Sequence, residues 1–388
     1  MTYIGVFTAV SAALSVFLSR SVGAKNLERG RSAIWHGFVI AFLLGLISLI
    51  SVFIAVPLLH IMGAHGLLQN TAYPYFTIVL GISPLLALFT AQSAAFRAIG
   101  KTNIPLRVGL EMNVLHVVFD YVLIFGVSSF HGLGIKGAAI AMVLARLYAL
   151  IRLWMKSRSV ESLSFHGSDL KVSGSLSWSM VKFAVPAALE RLSMRLGQII
   201  YFGLIVRMGV DVYATHNMAG TLTTFASTIG TGFATAATAT IGQAIGSGNE
   251  EDVRIYRRWS YIESAISMTA VTILLCLFSP WIGLLFTRNQ HVIHLLFIIL
   301  VIDVFSQPFL AAVTVDTSAI QAGGNSKFPM MTTMIGIWGI RTLGVYLFAW
   351  HFGFGLPVVW VCIAVDNALR SGLFMWYRRT RNWVQKLT

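Results

Sequence analysis

The chain has 388 residues, of which 56% are hydrophobic and 11% charged, and its formal net charge is +14. Soluble domains carry about 25% charged residues, so this composition excludes a water-soluble globule. Apolar runs of about 20 residues, the length of a membrane-spanning helix, recur along the chain without the alternation of a membrane β-barrel. The sequence therefore predicts an all-α membrane protein.

Eleven apolar helices are predicted in chain order. They are expected at residues 2–19, 33–60, 71–99, 105–127, 137–155, 177–206, 212–245, 258–286, 291–321, 328–351 and 356–377. Several exceed the thickness of a bilayer and must tilt, kink or extend into water. Pro74 and Pro84 predict a kink in the third helix, and Gly220, Gly230 and Gly232 predict one in the seventh.

The basic residues are distributed unevenly between the two ends of these helices. Of 28 Lys and Arg residues, 22 fall on one side, while the opposite loops hold Lys136, Arg207 and Arg288. The positive-inside rule makes the crowded side cytoplasmic, which places the C-terminus in the cytoplasm of a plasma-membrane protein. Anchoring at the membrane surface explains these charges more simply than an anionic-lipid or nucleic-acid site. The expected partners are the bilayer and a small-molecule substrate, for a monomer that binds no nucleic acid.

Motifs for chemistry are missing from the sequence. Cys276 and Cys362 lie inside apolar segments, without the spacing of a disulfide framework or a metal site. No Gly-x4-Gly-Lys-Ser/Thr loop occurs, which argues against an ATP-driven pump. We therefore expect no enzyme, no metal and no cofactor.

Three loops of the first half recur in the second half at a nearly constant offset. The pairs are GAKNLERGR (23–31) with GSGNEEDVR (246–254), AIGKTNIP (98–105) with AGGNSKFP (322–329), and HGLG (131–134) with FGFG (352–355). The offsets are 223, 224 and 221 residues. Because matched loops fall on the same side of the membrane, the sequence predicts two tandem six-helix bundles in parallel orientation.

The offset also sets the expected domain boundaries. We predict an N-terminal bundle at 1–155, a cytoplasmic linker at 156–176, and a C-terminal bundle with a basic tail at 177–388. The first bundle shows five helices and the second six, since the partner of helix 177–206 would precede residue 1. We expect the first of twelve helices to be missing, through a misplaced start or a truncation.

These loops, together with several helix segments, resemble those of the MATE (multidrug and toxin extrusion) family. The segments are NVLHVVFDYVLIFG (113–126), GLGIKGAAIA (132–141), VPAALERL (185–192) and IGIWGIR (335–341). The resemblance covers the whole chain in order. It implies two bundles in a V around a central cavity, which export organic, often cationic, compounds by alternating access. Inward movement of H⁺ or Na⁺ would drive the export.

The resemblance also implies site residues. One branch of the family places a coupling Asn and Asp four residues apart on the fifth helix; Asp120 matches the Asp, and His116 stands in place of the Asn. Another branch uses acids on the seventh and tenth family helices, where Glu190 and Asp303 lie. The expected cation-coupling set is Asp120, His116, Asn113 and Glu190.

The residues support this set on physical grounds. A charge in the hydrocarbon costs roughly 2.5–3.5 kcal/mol, so each one retained there needs a reason. Asp120 and His116 share one helix face and can take up or release a proton as their surroundings change. The alternative for this pair is a static hydrogen bond that packs helices.

Glu190 follows Pro186 by one turn, so it could form a cation niche with freed backbone groups or a salt bridge to Arg191 or Arg195. Asp303 lies at mid-depth, and Asp303 and Arg195 are candidate cavity charges that could pair. Asp316, nearer the cytoplasmic side, has no distinctive neighbour in the sequence.

Arg341 and Asp366 are expected to form a structural ion pair. They lie ten residues before and ten after the short connection between two antiparallel helices, and therefore at one depth. Pairing allows both charges to remain in the bilayer. Arg341 also aligns with Asp120 at an offset of 221.

Two other functions stay open. One is a flippase for lipid-linked oligosaccharides or cell-wall precursors, which would line its cavity with several cations to hold a pyrophosphate. The sequence offers Arg191, Arg195 and Arg341 for that purpose. The other is an inactive truncated product.

Overall fold

The computed structural model describes residues 2–61, 65–127, 130–164, 173–381 and 383–384. The chain divides into two compact units, Met1–Ala184 and Val185–Thr388. Their boundary lies inside a long helix that begins at Gly174, not in the segment before it. The predicted linker at 156–176 includes residues 165–172, which lie outside the described ranges.

Seven α-helices lie wholly in the described part of the first unit, and a short 3-10 helix, Glu161–Leu163, follows them. They are α1 (Thr2–Gly23), α2 (Leu27–Phe53), α3 (Ala55–Ile61), α4 (Leu67–Gly81), α5 (Ser83–Ala98), α6 (Asn103–Asp120) and α7 (Ile135–Arg158). A π-helical turn, Tyr121–Phe125, continues α6. A short hairpin of β1 (Gly126–Val127) and β2 (Phe130–His131) then leads into α7. The helix α1 packs on α2 and α5, and α6 packs on α7.

The kink predicted at Pro84 is confirmed. The helices α4 and α5 meet at a bend of 48°, and Pro84 occupies the first turn of α5, where a missing N–H costs nothing. Gly45 of α2 packs directly on this corner, since a Cβ on Gly45 would lie 2.9 Å from the nitrogen of Pro84. Pro74 lies inside α4 without a break in the helix.

Six further α-helices follow in the described residues, and the first of them continues from the first unit into the second. They are α8 (Gly174–Arg207), α9 (Val210–Ser247), α10 (Glu250–Phe286), α11 (Gln290–Ala322), α12 (Lys327–Met334) and α13 (Leu356–Thr380). Two π-helical segments, Ile335–Thr342 and Val345–His351, extend α12. The helix α11 is central, because it packs on α9, α10 and α13. Its buried Leu296 and Leu300 share an apolar core with Tyr201 and Trp360.

Small side chains allow the helices to approach closely. Ala141, Ala145 and Ala149 recur every four residues on the buried face of α7. Such stripes suit a bilayer, where helices associate through close van der Waals packing because lipid is as apolar as leucine. Large apolar side chains such as Ile47 and Leu285 accordingly remain exposed.

The eleven predicted helices match the observed ones in order along the described residues, which confirms the all-α membrane fold. Among them, eight are long and apolar enough to cross a membrane, and the bent pair of α4 and α5 makes a ninth. The helices α8 and α9 fall outside this set. At 34 and 38 residues both are long enough to span, but α8 carries five charges and α9 is rich in Thr and Gly.

The predicted internal repeat is visible in the backbone. Asn26 accepts a hydrogen bond from a backbone N–H in the first turn of α2, and Asn249 does the same for α10. The residues just before them, Lys25 (φ 55°) and Gly248 (φ 76°), are both left-handed. Gly100 and Gly324, matched at the second loop, also share a positive φ, at 82° and 91°.

Candidate functional site

The first-unit candidates lie near the end of α6. His116 Nε2 is 3.5 Å from Asp120 Oδ2, and each side chain is about one-third exposed, at 35% and 33%. Asn113 is exposed one turn earlier. The π-helical turn begins directly after Asp120, and π-turns occur often at functional sites. Asp120 Oδ1 is buried and accepts no hydrogen bond from the described residues.

Glu190 is buried in the second unit, where two neutral groups donate to its carboxylate. Thr333 Oγ1 donates to Oε1 at 3.1 Å, and Gln321 Nε2 donates to Oε2 at 3.2 Å. Arg370 Nη2 donates in turn to the Thr333 hydroxyl at 2.8 Å. Glu190 is therefore linked to a guanidinium through a hydroxyl group. The direct hydrogen-bond donors to Glu190 are these neutral groups, while Arg191 acts on its charge from nearby.

Asp303 of α11 is also buried among neutral donors. Thr223 Oγ1 and Gln307 Nε2 both donate to its Oδ2, at 2.9 and 2.8 Å. The other amide atom, Gln307 Oε1, is a buried acceptor with no donor among the described residues. Arg195, which the sequence suggested as a partner, instead donates to Gln198 Oε1 at 3.0 Å.

Arg341 and Asp366 are in direct contact. Arg341 Nη2 lies 2.6 Å from Asp366 Oδ2, and Asp366 is fully buried. The neighbouring Asn367 extends the network, since its amide donates to Ser306 Oγ at 3.0 Å. Gly336 packs against Asp366 and leaves no room for a side chain. The pair joins α13 to the π-helical extension of α12.

Asp316 corrects the expectation that it has no distinctive neighbour. Arg257 of α10 donates to both of its carboxylate oxygens, at 2.8 and 3.2 Å. Arg378 Nε of α13 lies 3.3 Å from Oδ1. Asp316 is almost fully buried, so it ties three helices together at one end of the unit.

The buried acids thus fall into two chemical classes. Asp316 and Asp366 are neutralised by arginines, which suits a structural role. Asp303 and Glu190 are held directly by hydroxyl and amide groups, which stabilise a carboxylate but do not cancel its charge. Glu190 also lies close enough to Arg191 and Arg370 to interact with their positive charges, whereas the partners of Asp303 among the described residues are neutral. Burial of a charge without a counterion is costly, and this distinguishes Asp303 from the other buried acids. No cluster of three or more His, Cys, Asp or Glu that could hold a metal occurs among the described residues.

Comparison with known proteins assigns the family. The model of the MatE family matches residues 1–122 and 186–347, which is most of the chain. The chain belongs to the MatE family of membrane transporters. The resemblance drawn from the sequence is confirmed.

Two curated relatives and one solved structure show how far the similarity of this MatE chain extends. It is 29% identical to the uncharacterized transporter YisQ of Bacillus subtilis, covering 98% of this chain and 84% of that protein. It is 25% identical to the probable multidrug resistance protein NorM of Thermotoga maritima, covering 98% and 82%. A crystal structure of MATE in the bent conformation matches with a TM-score of 0.88 at 22% identity, over 98% and 84% of the two chains. This structural likeness shows the fold.

Sequence reasoning about this MatE chain missed the neutral partners of the acids. Thr223, Gln307, Gln321 and Thr333 carry no charge, so a search for charges in apolar helices passes over them. One signal was present: Gln307 follows Asp303 by four residues and therefore lies on the same helix face. The partners on other helices are 80 to 143 residues away from their acids in the sequence.

Proposed function

We propose that this MatE protein is an antiporter that exports organic cationic or amphiphilic compounds across the plasma membrane in exchange for H⁺ or Na⁺. Relatives named multidrug resistance protein support the class of substrate. Alternating access by the two helical units is the expected mechanism. The observation that carries the coupling step is the burial of Asp303 among neutral donors.

Asp303 has the chemistry that a coupling site needs. Its carboxylate, the Thr223 hydroxyl and the Gln307 carbonyl are hard oxygen ligands of the kind that alkali and alkaline-earth ions prefer. The same acid accepts a proton when the cation leaves, because a neutral carboxyl group fits this buried site better than a bare charge. Glu190 offers a second acid in the same unit, with Thr333 and Gln321 as its donors.

Asp120 and His116 remain the proposed coupling pair of the first unit. Their contact at 3.5 Å is looser than a hydrogen bond of ordinary length. A pair of this kind can exchange a proton without breaking a tightly packed network. Both units would then contain a titratable site, one built on an acid and an imidazole and the other on acids and neutral amides.

One ion that crosses a 100 mV potential supplies about 2.3 kcal/mol, which corresponds to about a 50-fold concentration ratio of a substrate without net charge. One-for-one exchange with a monovalent cation moves no net charge, so the concentration gradient of the ion drives export in that case. This energy is sufficient for useful uphill export. No ATP-binding motif is required in that scheme.

The flippase alternative needs several free arginines for a pyrophosphate. Arg341 is occupied by Asp366, and Arg195 donates to Gln198. One of the three arginines that this alternative would use is therefore neutralised by an acid, which leaves fewer charges for a pyrophosphate.

The proposal is tested with the purified chain in liposomes loaded with ethidium. An imposed H⁺ or Na⁺ gradient should drive ethidium movement, and the ion that does so identifies the coupling. An ionophore that dissipates the gradient should stop the movement. Ethidium binding without movement under either gradient would contradict the proposal and favour an inactive chain.

A further inference from the structure

A cavity of about 690 Å³ lies at one end of the second unit, away from the buried acids Asp303 and Glu190. Its lining includes five arginines and Trp383: Arg254, Arg257, Arg258, Arg378, Arg381 and Trp383. They come from the start of α10, the end of α13 and the segment that follows α13. This end carries the basic residues that predict the cytoplasmic side. The volume lies within the usual range of small-molecule sites.

Two of these arginines are held in place by Asp316. Arg257 donates hydrogen bonds from Nε and Nη2 to that carboxylate, and its guanidinium also lies 5.7 Å from the centre of the Tyr261 ring. Arg378 contacts the same carboxylate at 3.3 Å. One acid therefore serves two guanidinium groups, and one positive charge is left unmatched beside the cavity.

The remaining charges add to this excess. Arg254 pairs with Glu250 across 3.7 Å, in a contact exposed to solvent. The side chains of Arg258 and Arg381 are exposed and form no ion pair within the described ranges. The cavity consequently has three positive charges without a carboxylate partner, although its arginines come from separate helices.

Three described residues that follow α13 also line the cavity, namely Arg381, Trp383 and Val384. Trp383 packs against an apolar cluster to which α11 contributes Val315 and Ala319. A Cβ on Gly323 would lie 2.6 Å from the carbonyl oxygen of Trp383, so only glycine permits this close approach. The packing of Trp383 therefore holds Arg381, two residues earlier, at the cavity.

We propose that this cavity binds a phosphate-bearing anion. The guanidinium fork matches phosphate oxygens and forms paired charge-assisted hydrogen bonds with them. Two sources have this chemistry, the headgroup of an anionic phospholipid and a free phosphate. The proposal is independent of the transport function, since none of its residues belongs to the coupling sites.

Microscale thermophoresis of the full chain in detergent tests the proposal by measuring the affinity for three probes. The probes are dihexanoyl-phosphatidylglycerol, dihexanoyl-phosphatidylcholine and inorganic phosphate. The double variant R258A/R381A should weaken binding of the anionic probe by about tenfold or more, because it removes charge-assisted contacts. The matched control K327A/R379A removes two exposed charges from the same end of the unit, outside the cavity lining. It should change the affinity by less than about twofold.

The outcomes separate the sources and the alternatives. Preference for phosphatidylglycerol over phosphatidylcholine, without competition by phosphate, identifies a lipid headgroup, whereas saturable binding of phosphate identifies a free anion. Equal losses in both double variants would show diffuse surface charge and overturn the site. Wild-type binding of neither anionic probe would overturn it as well. Melting temperatures of both variants establish that they fold.

Discussion

Lys25 and Gly248 hold the same left-handed backbone conformation, 223 residues apart, at equivalent ends of two helices. Each donates its N–H to the carbonyl three residues earlier, and the next residue donates five residues back. This is the hydrogen-bond pattern of a helix C-terminal cap, which glycine adopts without strain. Among the described residues, Lys25 is the single non-glycine residue with a positive φ, so it adopts this cap conformation at a steric cost that Gly248 avoids.

The replacement Lys25→Gly should stabilise the first unit. A side chain in the left-handed region costs about 1–2 kcal/mol, and the greater freedom of glycine in the unfolded chain offsets part of it. We expect a net gain of about 0.5–1 kcal/mol and a rise of about 1–2 °C in apparent melting temperature. Thermal unfolding of both proteins in detergent, at one scan rate, measures the change in apparent melting temperature. Gly248→Ala should shift the melting temperature in the opposite direction, and a loss on Lys25→Gly would contradict the argument.

The substitution Asp303→Asn should uncouple transport. An amide cannot carry the charge that a proton or Na⁺ neutralises, so the ethidium concentration ratio of about 10 that a tenfold ion gradient sustains in one-for-one exchange should fall towards 1. Ethidium movement in liposomes under the imposed gradient measures this ratio. Glu251→Gln is the matched control, since it neutralises an exposed acid on α10 outside the cavity lining. Full coupling in Asp303→Asn would remove Asp303 from the mechanism.

The substitution Asp120→Asn should abolish export while expression stays at the wild-type level. Asp120 is one-third exposed and its contact with His116 is loose, so its loss costs little stability. Dye efflux from cells together with the amount of protein in the membrane gives both readouts. Unchanged efflux would show that the His116–Asp120 pair is a packing contact.

The ion pair of Arg341 and Asp366 should behave as one structural unit. Asp366→Asn leaves a buried guanidinium unpaired, and Arg341→Gln leaves a buried carboxylate, so each should cost about 3–5 kcal/mol. The double variant R341Q/D366N should be more stable than either single variant, because neither charge of the pair remains. Melting temperatures of the four proteins complete the cycle. Additive losses would show that the two charges act separately.

An exposed pair provides the control for that cycle. Arg254 and Glu250 are 79% and 89% exposed and lie 3.7 Å apart. Exposed pairs contribute about 0–1 kcal/mol. Glu250→Gln should therefore leave the melting temperature nearly unchanged.

The order of the helices could be predicted because each crossing requires about 20 apolar residues, and hydropathy records that requirement directly. Helix ends in water were harder to predict. The helix α10 begins at Glu250 and not at 258, because Asn249 caps it and its first turns are charged. A search for apolar runs does not detect a helix start that is set by a polar capping side chain.

The pairing of buried groups could be predicted only where the chain geometry restricts it. Arg341 and Asp366 lie on either side of a four-residue connection, which sets them at one depth. Asp316 and Arg257 are 59 residues apart, on neighbouring helices whose relative rotation the sequence does not record. The same holds for Thr333 and Glu190, which are 143 residues apart.

The contact between Arg341 and Asp366 also bears on how the chain enters the bilayer during synthesis. Each of these residues would cost roughly 2.5–3.5 kcal/mol if its helix entered the lipid alone. The helix with Arg341 leaves the ribosome first and is followed by α13 after only four residues. Insertion of the two helices as one hairpin would neutralise the arginine as soon as its partner arrives, so we expect these two crossings to enter the membrane together.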